Sequence, residues 1–164
     1  MGATLPAAMR PPPEDPDAFV RLGQVEYEAG RLESAANAFY RAIELQDLES
    51  QGAAAFGLGR VRLRQGDRGG AYAAWRLATA TRDPEYAPRA ACFMAVGYQQ
   101  EGNRTEARRA WQAALDTSSE RYEVIALLGL GSIADQEGAV ALALSYWRRA
   151  TTLVVTKAEE TWWP

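Results

Sequence analysis

The stretch RQGDRGGAYAAWRLA, from Arg64 to Ala78, sets three glycines within five residues just ahead of an amphipathic run. Two readings compete for it. A glycine-rich turn feeding a helix N-terminus aims backbone N–H groups and the positive end of the helix dipole at an anion, as a phosphate loop does. The plainer reading is a tight joint between two helices, where glycine permits a positive φ. Spacing decides between them: steps of 36 residues from Gly66 land on Gly30, Gly102 and Gly138. Five residues beyond each marker stand Ala35, Ala71, Ala107 and Ala143, then Phe39, Trp75, Trp111 and Trp147, then Ala42, Ala78, Ala114 and Ala150. Upstream of each lie Leu22, Leu58, Met94 and Leu130, each followed by a tiny residue, Gly23, Gly59, Ala95 or Gly131.

Small residues recur easily by chance in an alanine-rich chain, but an aromatic column held over four copies does not. Each copy reads as two helices. In the first, Phe19, Leu22 and Val25 precede Gly30, and Leu32, Ala35, Phe39, Ala42 and Ile43 follow it, both sets at helical spacing. Only Gly66 of the three glycines belongs to the pattern. Gly69 and Gly70 are matched elsewhere by Glu33 and Ser34, Thr105 and Glu106, Ala141 and Leu142. A phosphate loop would need those two glycines and a strand before them, so the joint is the better reading. Packing explains the columns. Neighbouring helix pairs approach closely where side chains are small, and the large ring one turn on fills the space beside them. Caps agree: Asp15–Pro16 and Asp83–Pro84 are N-terminal signals, and Thr117 with Glu120 and Asn103 with Glu106 are candidate capping boxes.

Composition narrows the function. At 164 residues the chain is one domain with room for a core, and 48% apolar residues are those of a soluble protein. Its apolar runs are broken before they reach bilayer length, and MGATLP fails the myristoylation pattern at Pro6, so the cytoplasm is the expected location. One cysteine, Cys92, and no histidine leave no intrachain disulfide, no Cys/His zinc site and no imidazole base; no cofactor and no metal are expected. A net charge of −3 argues against nucleic acid as a partner, although 17 arginines stand against the single Lys157. That bias is the coding signature of a GC-rich bacterial genome.

With these columns in place, the chain resembles the tetratricopeptide repeat family: LGQVEYEAGRLESAANAFYRAI, from Leu22 to Ile43, follows the family pattern along its length. The period is 36 against the usual 34 or so, and DPEYAPRAACFMAVGYQQEGN, from Asp83 to Asn103, is similar to a variety common in bacterial proteins. There are departures. The closing proline is absent after the first unit, where Asp47 and Leu48 continue, and the first-helix tyrosine survives only as Tyr98, replaced by Glu26, Arg62 and Ala134. Ala95 followed by Gly97 predicts a local irregularity in the third unit's first helix, whose start Pro88 restrains. The expected organisation is a Pro-rich flexible leader over 1–15, four repeats over 16–155 (16–51, 52–87, 88–123 and 124–155), and a tail over 156–164.

The resemblance implies an all-α, right-handed superhelical solenoid whose first helices line a concave groove that holds a segment of a partner protein. Carried onto this chain, the family's concave positions are Asp17, Val20, Gln24, Tyr27 and Glu28; Ala53, Phe56, Arg60, Leu63 and Arg64; Arg89, Cys92, Val96, Gln99 and Gln100; and Ile125, Leu128, Ser132, Asp135 and Gln136. Val20, Phe56, Cys92 and Leu128 form an apolar floor, and Arg60, Arg64 and Arg89 cluster at the centre. A ligand with an apolar anchor and a carboxylate fits that pattern. The lysine–asparagine clamp of some family members is not reproduced, because Val20 and Gln24 stand where it would begin. Alternatively the arginines are simply solvated and the floor packs neighbouring helices.

Other features read blandly. Arg108, Arg109, Arg148 and Arg149 make either a convex basic patch or a solvated face, and Cys92 has no histidine to activate it, so it reads as a small groove or core residue. Nothing catalytic stands out; the expected protein is a non-enzymatic adaptor. A second reading starts from TTLVVTKAEETWWP: the LVV segment with Trp162 and Trp163 either folds back over the fourth unit or docks on another molecule, giving a self-assembling scaffold, as a dimer or head to tail.

Overall fold

The computed structural model describes residues 15–117 and 119–161, with side chains through 156. Among them the chain forms eight helices: α1 (Pro16–Glu28), α2 (Leu32–Glu44), α3 (Leu48–Arg64), α4 (Arg68–Ala80), α5 (Tyr86–Gln100), α6 (Arg104–Leu115), α7 (Glu120–Gln136) and α8 (Val140–Thr161). Consecutive helices pack on one another, and the first helices of successive pairs also touch, α1 on α3, α3 on α5 and α5 on α7. The odd helices are therefore an inner layer and the even ones an outer layer. The chain is an all-α solenoid.

The joint within each pair is the same four times. Gly30, Gly66, Gly102 and Gly138 have φ between 73° and 82°. The residue after each glycine donates its N–H five residues back, as in Asp67 N to Arg62 O at 2.9 Å, while the glycine itself reaches three back, as in Gly66 N to Leu63 O at 3.0 Å. This is the Schellman closure, and it satisfies two carbonyls that a helix end would otherwise leave unpaired. A Cβ at any of the four would meet nothing within 4 Å. Handedness, not space, therefore demands glycine here.

The joints between pairs use different chemistry. Gln46 (φ 53°) and Arg82 (φ 57°), again 36 residues apart, take the left-handed conformation without being glycine. The following aspartates then cap: the Asp47 carboxylate accepts from Ser50 N at 2.8 Å, and Asp83 from Glu85 N and Tyr86 N at 2.8 and 2.7 Å. Asp15 caps α1 through Asp17 N at 3.0 Å. Hydrogen bonding to Asp47 holds its carboxyl below the usual range, the Ser50 hydroxyl contributing most.

Four local expectations change. The Thr117–Glu120 box does not form, because α7 begins at Glu120 itself; Ser119 is the cap position, and the Thr117 hydroxyl donates back to Ala114 O at 2.7 Å. Only half of the second box forms: Asn103 Oδ1 accepts from Glu106 N at 3.3 Å, while the Glu106 carboxylate pairs with Arg109. α5 runs unbroken through Ala95 and Gly97. Gly97 is a point of close approach, since a Cβ there would lie 2.5 Å from the Tyr72 hydroxyl. Finally, α8 continues past 155 to Thr161. Val154 stands where Gln46 and Arg82 turn the chain, and a β-branched residue resists the left-handed conformation. The leader up to residue 14, and Trp162 and Trp163, lie outside the described residues.

The core is a continuous seam between the layers. Ala35, Ala42, Ala71, Ala78, Ala107 and Ala114 are fully buried, and Phe39, Trp75 and Trp111 lie beside them at 4%, 1% and 3% exposure. A Cβ on Gly59 would stand 2.2 Å from Trp75 Nε1, and one on Gly57 would stand 2.4 Å from the Phe39 ring. Each aromatic is thus clasped by its own first helix on one side and the next first helix on the other. No helix among the described residues is long and apolar enough to cross a membrane.

Candidate functional site in the concave groove

The inner layer opens into two adjoining cavities. The smaller, of about 270 Å³, lies between α1, α3 and the start of α5 and is lined by Val20, Gln24, Tyr27, Phe56, Arg60 and Arg89, with Glu85 and Tyr86 at its edge. The larger, of about 440 Å³, lies between α3, α5 and α7, where Leu63, Arg89, Cys92, Val96, Gln100 and Ile125 meet Phe93, Tyr122 and Arg121. Tyr72, Trp75 and Trp111 from the outer layer form its base. Arg89 borders both.

In the first cavity the arginines are positioned by aromatic rings. The Arg60 guanidinium lies over the Tyr27 ring at 4.2 Å, and Arg64, one turn on, lies over the same ring at 4.9 Å while donating to Tyr27 O at 3.0 Å. Arg89 covers Phe56 at 4.8 Å and reaches Glu85 only at 3.8 Å. Neither Arg60 nor Arg64 has a carboxylate partner among the described residues. Such stacking fixes a guanidinium's plane while leaving its N–H donors free for an incoming anion.

The second cavity is apolar at its base and has polar edges. Phe93 meets Phe56 and Trp75 edge-on, with ring centroids 5.2 and 5.4 Å away, so the aromatic floor continues beneath both cavities. Tyr72 stacks on Tyr98 at 4.3 Å and donates to Glu101 Oε1 at 2.8 Å; that oxygen also receives Arg68 at 3.1 Å. Burial, reinforced by the bond to Glu101, raises the Tyr72 pKa. Burial likewise pushes the Cys92 thiol up to about 12, which keeps it protonated and unreactive at neutral pH.

The structure thus brings Val20, Gln24, Tyr27, Phe56, Arg60 and Arg89 together in one cavity and Leu63, Cys92, Val96 and Arg89 in the other. Arg64 sits behind Tyr27 as a second support. Gln99 is taken up internally, its Oε1 accepting from Trp111 Nε1 at 2.8 Å. Leu128 and Ser132 line neither cavity; Leu128 is half exposed and Ser132 accepts from Gln136 at 3.4 Å. Of the expected apolar floor, Val20, Phe56 and Cys92 line the two cavities and Leu128 stands outside them. Sequence reasoning missed Phe93, Tyr72, Arg68, Tyr122 and Arg121. A signal existed for Phe93: it replaces the glycine of Gly57 and Gly129 at the same 36-residue position.

Three of the four arginines of the supposed convex patch are paired. Arg108 pairs with Glu137, Arg149 with Glu123, and Arg109 with Glu106 at 2.6 Å. Glu26, in the column where the family has tyrosine, takes Arg31 in a two-pronged bond that lowers its carboxyl pKa, with Nη2 at 2.8 Å.

Comparison with known proteins places this architecture. The crystal structure of MamA superposes with a TM-score of 0.71 at 19% identity, covering 90% of this chain and 82% of that one. A chain of the APC/C hetero-tetramer Cut9–Hcn1 superposes with a TM-score of 0.61 at 20% identity, over 87% of this chain and 26% of that one. At such identity the likeness is one of fold. No curated protein sequence matches the chain. The sequence pattern of the tetratricopeptide repeat does match, over residues 7–50 and 94–154. With well over half of its residues inside those matches, the chain belongs to the tetratricopeptide repeat family.

Proposed function

We propose that the protein is a non-enzymatic interaction adaptor that holds an extended segment of a partner protein in its concave groove. The segment places an acidic side chain between Arg60 and Arg89 and a large apolar side chain in the neighbouring 440 Å³ cavity. The supporting observation is the arrangement around Arg89. Guanidinium groups without close acidic partners are stacked over rings at one cavity, and an aromatic-floored space of side-chain size adjoins it. Arg suits carboxylates because it offers parallel donors, and an aromatic-lined pocket supplies most of the binding energy when an apolar anchor fills it.

Selection of random peptides displayed on phage tests the reading. Enriched peptides are expected to carry Asp or Glu a few residues from Phe, Leu or Trp. Arg89→Glu is expected to weaken them about tenfold, since at this partly exposed site it turns an attraction for the acidic side chain into a like-charge repulsion. Circular dichroism of the variant stays that of the parent. Enriched peptides without acids, or unchanged affinity in an Arg60→Glu/Arg89→Glu double variant, sink the reading.

A further inference from the structure

We infer that copies of this chain stack end to end, the outer face of α8 in one copy receiving the outer face of α1 in the next, so that the 36-residue register continues across the junction. This surface is independent of the concave groove. The inference rests on two open faces that are, by the chain's own repeat, halves of one contact.

The first half is on α1. Ala18, Leu22 and Val25 are exposed, the last two at 46% and 57%. Their equivalents one repeat on, Ala54, Leu58 and Val61, are 0%, 5% and 0% exposed in the cluster that also holds Ala36 and Phe39 of α2. Two repeats further, Ala126, Leu130 and Ile133 are again buried. The set on α1 is therefore the apolar face with which every later first helix covers the preceding second helix.

The second half is on α8. Leu144, Trp147 and Thr151 stand where α2 has Ala36, Phe39 and Ile43, and together with Val155 they line an open depression. Phe39, Trp75 and Trp111 are each closed over by the next first helix; Trp147 is only half buried, and Leu144 is 42% exposed.

The register also matches the polar groups. Inside the chain, Tyr40 of α2 meets Arg62 of α3 at 2.6 Å. Shifted to the junction, the same pair of positions becomes Arg148 facing Glu26 of the next copy, opposite in sign, although Glu26 already holds Arg31 of its own chain in a two-pronged bond. The position opposite the ring, Gly57 against Phe39, becomes Arg21 against Trp147. That position already tolerates a large flat group, since Phe93 meets Trp75 there at 5.4 Å, and a guanidinium is a planar group that favours an indole face. A contact between two different faces does not close on itself, so assembly is open-ended.

Sedimentation velocity of the full chain tests this. The mass is expected to climb above 17.9 kDa with concentration and to pass the dimer without a plateau. Val25→Glu and Leu144→Glu, both at exposed positions, are each expected to be monomeric with unchanged helicity. An equimolar mixture is expected to form one species of twice the monomer mass, because the first variant keeps its α8 face and the second its α1 face. A monomer at every concentration overturns the inference, whether the chain's own residues cover the faces or nothing does. So does a dimer indifferent to Val25→Glu, which marks a symmetric α8 contact, and so does a mixture that stays monomeric.

Discussion

Trp75 and Trp147 occupy the same position in two repeats, and their inner sides are built alike. A Cβ on Gly59 would lie 2.2 Å from Trp75 Nε1, and one on Gly131 would lie 2.2 Å from Trp147 Nε1. Their outer sides differ. Phe93 of α5 closes over Trp75, which is 1% exposed and donates Nε1 to Phe56 O at 3.3 Å. Trp147 remains half buried on α8. One residue type at one position of one pattern is core in the middle of the array and surface at its end. In a solenoid, burial belongs to the neighbour as much as to the residue.

Removing each ring in turn separates the two environments most widely. Trp75→Ala deletes a fully enclosed indole and leaves a cavity between two helices that cannot collapse onto it, so a loss of about 3–5 kcal/mol is expected. Trp147→Ala removes a ring that water already reaches on one side, and a loss of about 1–2 kcal/mol follows from the smaller area recovered. Urea denaturation at low protein concentration, where copies stay apart, measures both. Equal losses would mean that Trp147 is covered as fully as Trp75.

The same distinction explains what could be read from the sequence. The four joint glycines were legible because a positive φ is a backbone demand that only glycine meets cheaply, so the residue recurs. The concave positions were half legible. Val20, Tyr27, Phe56, Arg60 and Arg89 came from the family resemblance, whose concave positions carry over onto this chain. Gln99 does not, because its partner Trp111 lies on the next helix and reaches it only once the pair has closed. Leu128 was placed on the floor by the same column, and it lines neither cavity. Phe93 and Tyr72 were missed because their roles arise between repeats: one fills a space that glycine leaves elsewhere, and the other packs where Gly97 makes room. The Gln46 and Arg82 turns were illegible for another reason, since neither residue type announces a left-handed backbone.

A methyl group added beneath each ring meets the two environments from the inside. At Gly59 the new Cβ must displace Trp75 away from its bond to the Phe56 carbonyl and against Phe93, which holds the ring from the far side, and overpacking of about 2–3 kcal/mol is expected. At Gly131 the clash is of the same size, but Trp147 can tilt into open space, so Gly131→Ala is expected to cost about 1 kcal/mol or less. The two melting temperatures, read against the parent, decide it. If Gly131→Ala falls as far as Gly59→Ala, the outer side of Trp147 is not free to yield.

The smallest effect comes from a glycine of the central repeat that touches almost nothing, and it separates cover from mere position in the array. Gly69 lies in the first turn of α4, and a Cβ there would find only Asp67 Oδ1 at 3.8 Å, an ordinary contact. Alanine narrows the unfolded ensemble and favours the helix, so Gly69→Ala is expected to stabilise by about 0.5–1 kcal/mol. Its neighbour behaves oppositely. The Asp67 carboxylate caps α4 by accepting from Gly70 N at 2.8 Å, and a Cβ on Gly70 would stand 2.2 Å from Asp67 Oδ2. Gly70→Ala therefore gains the same helix propensity while displacing a cap that contributes about 1 kcal/mol, and the two cancel or the loss prevails. Chemical denaturation of the two single variants reads the difference. A stabilising Gly70→Ala would show that the cap can move without loss, and a destabilising Gly69→Ala would show a contact on the outside of α4 that leaves this face less open than Trp147's.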